Sequence, residues 1–449
     1  MDHRTAALTP RRLPRLVAAL AAALALAPLI AEAGSVELRA TAGSAVLPAG
    51  RTTTAVLKVG LRGLEFLDAE RRAPVNLALV LDKSGSMSGE KLEKAKSAAL
   101  HVLDRLKPDD LLSVVAYDGT VRILVPTTRV ADRRAIADAI LGLRAGGSTA
   151  LFAGVSKGVG EVRRLLRRDQ VNRVILLSDG QANVGPSSPN ALGHLGAACA
   201  KEGIAITTVG LGLGYNEDLM VQLAMRSDGN HAFAATADDL PRIFAAELGD
   251  VTSVVAQGAQ VRIDFAPGVR PRRVLNREAT ISGQSVFYTV GQIYGAQEKH
   301  VVVEVDVDPG VAGTERPFAT VTATYLDMPS GKSEHERRAL AVRFTDHLAE
   351  VEAATDADVM IAHAEALANE QSRLAVDLRD RGAYGEAQRV LELNSAYLDE
   401  AASRYNSTRL RNQASDNRGD AKNLDEGAWN ERRKAIRKRQ YELDVQQSF

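Results

Sequence analysis

From Val75 the chain runs VNLALVLD, an almost unbroken apolar stretch of the length of one strand. A strand apolar on both sides is buried on both faces, as in a parallel sheet covered by helices. The alternation then continues. Residues 90–106 place Leu92, Ala95, Ala99, Leu103 and Leu106 at helical spacing, with Pro108 just beyond. LLSVVAYD and VRILVPT flank Gly119-Thr120, the pattern of a hairpin. A helix at 131–143, the loop AGGST, a helix at 150–167 and the strand RVILLSD come next. A helix at 189–202, the strand AITTVGLG, a helix at 216–225, a short strand near His231 and a helix from Asp239 close the series. Strands alternating with helices predict an α/β, Rossmann-like, doubly wound domain over residues 73–252, with right-handed crossovers.

The flanks read differently. SVELRATAG and TTTAVLKVGLRG, within residues 34–72, are rich in Val, Thr and Leu with partial alternation, and Pro48-Ala49-Gly50 turns between them. Residues 253–346 hold six further strand patterns: VRIDF, RRVLN, SVFYTV, HVVVEVDVD, FATVTATYL and ALAVRFTD. Together they predict an antiparallel β-sandwich. The strands before Val75 are too few to fold alone, so they are expected to join the later ones, which makes the α/β domain an insertion. Residues 347–411 are dominated by Ala, Leu, Glu and Arg. Broken at Gly382-Ala-Tyr-Gly385, they predict an α-helical hairpin. The polar, glycine-bearing stretch 412–427 predicts a flexible linker, and a short basic helix is expected over 429–443, near the end of the 412–449 segment.

Composition bounds the function. At 449 residues, 45% hydrophobic and 25% charged, the chain is an ordinary globular protein of two or three domains. A net charge of +0 gives no pull toward nucleic acid. Residues 1–33 carry Arg4, Arg11, Arg12 and Arg15, then an apolar run from Leu16 to Ile30, then Ala31-Glu32-Ala33. This is the profile of a secretory signal peptide, with an uncleaved membrane anchor as the alternative. Export to a periplasm, cell surface or extracellular space is therefore expected. The single cysteine, Cys199, cannot form an internal disulfide. Among Ala197, Ala198 and Ala200 it reads as a small core residue on a helix.

In open α/β sheets, ligands lie beyond the carboxyl ends of the strands. Three features meet that condition: Asp82-Lys83-Ser84-Gly85-Ser86 after the first strand, Gly146-Gly147-Ser148-Thr149 opening a helix, and Asp179-Gly180 after RVILLSD. Asp82, Ser84, Ser86, Thr149 and Asp179 form an oxygen-only donor set suited to a hard cation. Magnesium fits best and manganese almost as well, while zinc is disfavoured because no Cys or His accompanies the set. Gly85 and Gly180 are expected to let the backbone turn around the ion. Lys83 is expected to point to solvent, and Asp82, at a surface crevice, to be replaceable with little loss of fold.

These residues carry a resemblance. DKSGS is similar to the D-x-S-x-S signature of the metal-ion-dependent adhesion site (MIDAS) of von Willebrand factor A domains. Thr149 in GGSTALFAG resembles that family's threonine loop, and Asp179 in LLSDGQANVG its third loop. The wording is most similar to secreted bacterial members and to the A domains of inter-α-trypsin inhibitor heavy chains and calcium-activated chloride channel regulators. The resemblance spans about 175 residues, in the expected order. It implies a Mg2+ (or Mn2+/Ca2+) ion whose shell is completed by a carboxylate of a protein partner.

Other motifs have plainer readings. Ser88-Gly89-Glu90-Lys91 matches S-x-x-K, but S-D-N and K-T-G are missing, so it marks a helix start. Gly210, Gly212 and Gly214 lack the dinucleotide spacing and read as a tight turn. Glu304, Asp306 and Asp308 alternate along one strand, read as its wet face. Arg418-Gly419-Asp420 spells an integrin tripeptide within polar linker sequence. Six basic residues between Arg432 and Arg439 read as a solvated helix, with contact to an anionic membrane or polymer as the sharper alternative. No nucleophile–base pattern such as G-x-S-x-G is present, so the expectation is a binding module and not an enzyme. An envelope assembly factor, in which the ion only rigidifies loops, is the other reading.

Overall fold

Each strand of the central sheet alternates its side chains between two helical layers. In a computed structural model, which describes residues 34–65 and 72–447, this sheet holds six strands in the order β6-β5-β4-β7-β8-β9. They are β4 (Val75–Asp82), β5 (Leu111–Tyr117), β6 (Val121–Arg129), β7 (Val171–Ser178), β8 (Ile204–Leu211) and β9 (His231–Ala234). Only the β5–β6 hairpin is antiparallel. Every residue of β4, β7 and β8 is buried. Leu77, Leu79 and Leu81 of β4 pack with α1 (Glu90–Arg105) and α6 (Leu240–Thr252). Ala78 and Val80 pack with α3 (Leu151–Arg164), on the side that α4 (Pro189–Lys201) and α5 (Glu217–Arg226) also cover. Helix α2 (Arg133–Leu141) joins the α1 side. Cys199 is buried on α4, as its neighbours predict.

Two close approaches fix α3. A Cβ added at Gly154 would lie 2.8 Å from the Tyr117 ring, and one at Gly158 would lie 2.4 Å from Val80 Cγ2. A larger residue at either place would lift the helix, and with it the preceding threonine loop, away from the sheet.

The α/β domain is inserted in a sandwich. Before it come β1 (Val36–Ala42), β2 (Val46–Pro48) and β3 (Thr53–Gly63). After it come β10 (Val254–Phe265), β11 (Val269–Leu275), β12 (Thr280–Ser282), β13 (Ser285–Tyr294), β14 (Glu298–Val307), β15 (Glu315–Asp327) and β16 (Ser333–Thr345). They form sheets β1-β3-β14-β11 and β12-β13-β10-β15-β16-β2, so the early strands are completed by late ones. Val59 of β3 sits opposite Val301 of β14. One pair departs from the expected antiparallel order: β2 runs parallel to β16. Glu304 also departs from its expected wet face. It is 7% exposed, bonded by Arg273 and His363.

Beyond the sandwich lie α7 (Leu348–Ala353), α8 (Ala357–Asp380), α9 (Tyr384–Arg404), α10 (Thr408–Ala421) and α11 (Glu426–Val445). The expected hairpin is α8–α9, seated on the sandwich through Val359, Ala362 and Ala366 against Val56, Leu275 and Val302. The expected flexible linker at 412–427 is instead largely helix α10. Ser407 caps it by accepting from Leu410 N, and a narrow stripe of Leu410 and Ala414 packs on Leu398, Ala401 and Ala402. Asp420 is buried in α10 beside Arg439, which removes the integrin-tripeptide reading. The basic terminal helix is neither short nor solvated. Its six cations between Arg432 and Arg439 are all paired within the chain, on Glu217, Asp218, Asp377, Asp380, Asp416, Asp420 and Glu442. The anionic-membrane reading of this helix falls with that. No described helix is long and apolar enough to cross a membrane. The signal-peptide expectation lies outside the described residues.

Candidate metal centre

The centre forms where β4 and β7 end side by side. Leu81 pairs with Leu177 across them, so Asp82 and Ser178-Asp179 emerge at one level. Asp82 is 0% exposed. Its Oδ1 accepts from Ser84 N at 2.8 Å and its Oδ2 from Ser178 Oγ at 2.8 Å. After Ser84 the chain makes a single 3-10 turn, Gly85–Met87, pinned by the buried Met87. That turn lifts Ser86 over the crevice. Ser86 Oγ lies 3.1 Å from Ser84 Oγ and donates to Asp179 Oδ1 at 2.6 Å. One hydroxyl thus links the first loop to the third.

The second loop is stitched to both others by its backbone. Gly85 N donates to Gly147 O at 3.0 Å, and Gly146 N to Lys83 O at 2.8 Å. Thr149 N donates to Asn183 Oδ1 at 2.8 Å, while Asn183 N returns to Thr149 O at 3.2 Å. Thr149 is buried, and a Cβ placed on Gly180 would lie 3.5 Å from Thr149 Oγ1 and 3.7 Å from Ser86 Oγ. All five predicted donors therefore converge. The glycine expectation needs correcting: Gly85 and Gly180 do not adopt positive φ, whereas Gly89 (φ 78°) and Gly147 (φ 87°) do. These are the positions that require glycine.

Electrostatics favour a cation. Burial raises the Asp82 carboxyl above its ordinary value, against hydrogen bonds from Ser84 and Ser178, and the nearby Asp179 charge raises it further. Among the described residues, no group of three or more His, Cys, Asp or Glu could hold a metal. The donors are two carboxylates and three hydroxyls, which fit a hard ion that retains water and do not fit a thiolate- or imidazole-bound one. When bound, such an ion would supply an open coordination position for an external oxygen.

One lysine departs from expectation, and a second was not foreseen at the site. Lys83 turns back to Asp118, its side chain 16% exposed. Lys91 Nζ donates to Asp179 Oδ2 at 2.6 Å. Sequence reading placed Lys91 only at a helix start; a cation in the first turn of α1, where the helix dipole disfavours positive charge, was the available signal. Asn183 and Ser178 were also missed, being ordinary polar residues until the fold aligns them.

A family model of the von Willebrand factor type A domain matches residues 76–246. This segment is a von Willebrand factor A (VWA) domain. The chain is 30% identical over 276 residues to uncharacterized protein sll0103 of Synechocystis, covering 59% of this chain and 65% of that one. Inter-alpha-trypsin inhibitor heavy chain H3 of Homo sapiens is 27% identical over 169 residues, covering 36% of this chain and 19% of that one. The chain thus spans less than two thirds of the length of these relatives. In architecture it is similar to a von Willebrand factor type A structure from Catenulispora acidiphila, with a TM-score of 0.67 at 18% identity, covering 85% of this chain and 90% of that one. That likeness concerns fold, and it extends well beyond the VWA segment. VWA domains are protein-interaction modules in general and commonly hold a divalent metal at the place described here.

Proposed function

We propose that this protein is an exported, divalent-cation-dependent binding module. In this reading Asp82, Ser84, Ser86, Thr149 and Asp179 hold Mg2+ (or Mn2+/Ca2+), and the ion grips an acidic group of a protein partner. The observation that carries it is the single hydroxyl of Ser86, which bridges Ser84 and Asp179 and so joins the first and third loops over one crevice. The carboxylates orient and neutralise the ion, while the hydroxyls complete the shell without adding charge. That balance leaves the ion electrophilic enough to take one more oxygen. The Arg-rich, apolar and small-residue succession within residues 1–33 supports export to a periplasm, surface or medium. Binding of this kind needs no nucleophile, no general base and no nucleic-acid surface.

The test is calorimetric titration of the chain with Mg2+ and Mn2+, wild type against Asp82→Ala, followed by partner capture with and without chelator. Saturable binding in wild type and none in the variant is the expected result. Partner binding unchanged in excess chelator would replace this reading with the assembly-factor one. That alternative has an observation behind it: α11 ties the VWA domain to the sandwich and the helices, as a scaffold would require.

A further inference from the structure

Asp179 has both oxygens engaged, and by different kinds of group. Oδ1 accepts from Ser86, itself a member of the donor set. Oδ2 accepts from the Lys91 ammonium. The Asp179 side chain is fully buried, while that of Lys91 is 39% exposed. Among the described residues, Asp82 is bonded by neutral groups, Ser84 N and Ser178 Oγ. The other nearby lysine, Lys83, is turned onto Asp118. Two desolvated carboxylates are thus balanced by one intramolecular cation.

We infer that Lys91 is the built-in competitor of the metal ion, an affinity-setting residue that a divalent cation must displace from Asp179. This rests on the metal reading given above. The physical argument has three steps. A dication and an ammonium sharing one buried carboxylate repel strongly, because the field there is little screened. Of the two, the ammonium is free to leave: its flexible four-carbon stem already reaches solvent, so it can swing outward without opening the core. Its position on α1 gives it little reason to stay, since a lysine in the first turn opposes the helix dipole and, among the described residues, Asp179 is the carboxylate that holds it. Lys91 therefore stabilises the pair of carboxylates when no ion is bound and lowers the affinity of the ion that replaces it. The site is tuned to respond to changes in cation concentration and is not permanently loaded.

The experiment uses the full chain, with Mn2+ and Mg2+ as the only ligands. Wild type, Lys91→Met, Lys91→Arg and Asp82→Asn are titrated calorimetrically, and each is melted in chelator and in saturating Mn2+. Lys91→Met is expected to bind Mn2+ about tenfold more tightly than wild type, a change of ~1.4 kcal/mol. It should also melt below wild type in chelator, with the gap closing in Mn2+. Lys91→Arg should stay near wild type. Equal or weaker affinity in Lys91→Met, with a melting deficit that persists in Mn2+, would mean a purely structural lysine and overturn the proposal. Silence in wild type and Lys91→Met alike would overturn the metal reading itself, and this inference with it.

Discussion

Lys434 Nζ donates to Glu217 Oε2 at 2.5 Å across the junction between α11 and the VWA domain, with the two side chains 2% and 8% exposed. The same ammonium donates to Tyr215 O at 3.0 Å, and Arg433 bonds the other oxygen of Glu217. Tyr215 belongs to the turn leading into α5. Next to it, Gly214 packs so closely on the backbone of Asp179 that an added Cβ would lie 2.7 Å from the Asp179 carbonyl. The terminal helix thus braces the back of the metal centre.

This junction predicts strong coupling. Breaking a buried ion pair on one side leaves an uncompensated charge and costs about 3–5 kcal/mol, whereas removing both partners is far cheaper. Because Arg433 still serves Glu217, Lys434→Met should destabilise by ~2–4 kcal/mol. Adding Glu217→Gln should recover much of that. A double-mutant cycle by urea unfolding measures it, and simple additivity of the two losses would contradict the pairing.

Asp82 predicts a stability cost that its apparent surface position concealed. Asp82→Ala strands two donors, Ser84 N and Ser178 Oγ, in a fully buried place. Each stranded donor costs about 1–3 kcal/mol. Asp82→Asn keeps one acceptor oxygen and should cost less than half as much while still removing the charge the cation needs. Comparing the melting of the two variants in chelator checks this; identical losses would show that the hydrogen bonds there do not matter.

The VWA architecture was legible because its signal is redundant. Fully buried parallel strands write themselves as VNLALVLD, and two of the donor loops, those of Asp82 and Asp179, fall at strand ends fixed by that pattern, while the Thr149 loop opens α3. The insertion was legible for a negative reason: two strands cannot bury a sheet face alone. What failed was whatever depends on partners far away in sequence. Residues 412–427 look like linker because α10 buries mostly small or polar residues, and only contact with α9 shows that Leu410 and Ala414 suffice. The basic run of α11 looked solvated because its acidic partners sit far away in sequence, 217 residues in the case of Lys434 and Glu217. Lys83 was misread, and the role of Lys91 at the site was not foreseen, for the same reason, since Asp118 and Asp179 reach them only through the sheet.

Glu304 predicts an acid-sensitive contact between α8 and the sandwich. Arg273 donates to both its oxygens, at 2.7 and 3.1 Å, and His363 Nε2 lies 2.7 Å from Oε1. Hydrogen bonding from Arg273 is the largest influence, and with His363 it outweighs burial and pulls the carboxyl from 4.5 down to about 2. A depressed carboxyl contributes stability that is present above the unfolded value and lost as pH falls through the folded one. Wild type should therefore weaken between roughly pH 4.5 and 2, by about 1–2 kcal/mol once screening is allowed for. Glu304→Gln should lack that component, and a wild-type slope in the variant's acid titration would assign the loss elsewhere.

Lys83 supplies the contrast that separates loop anchoring from cation binding. It lies inside the DKSGS motif, yet its ammonium bonds Asp118 and none of the five donors. Burial raises the Asp118 carboxyl, but hydrogen bonds from Lys83 and Thr120 more than compensate and hold it below its ordinary value. In Lys83→Met, Asp118 would keep Thr120 N at 2.7 Å and Thr120 Oγ1 at 2.9 Å. The expected cost is therefore that of one largely buried charged hydrogen bond, ~1–2 kcal/mol. Mn2+ affinity should stay within about threefold of wild type, a difference of ~0.7 kcal/mol. Melting and calorimetric titration of the same preparation read both quantities. A tenfold change in Mn2+ affinity, in either direction, would place Lys83 in the electrostatics of the centre and weaken the assignment of that role to Lys91.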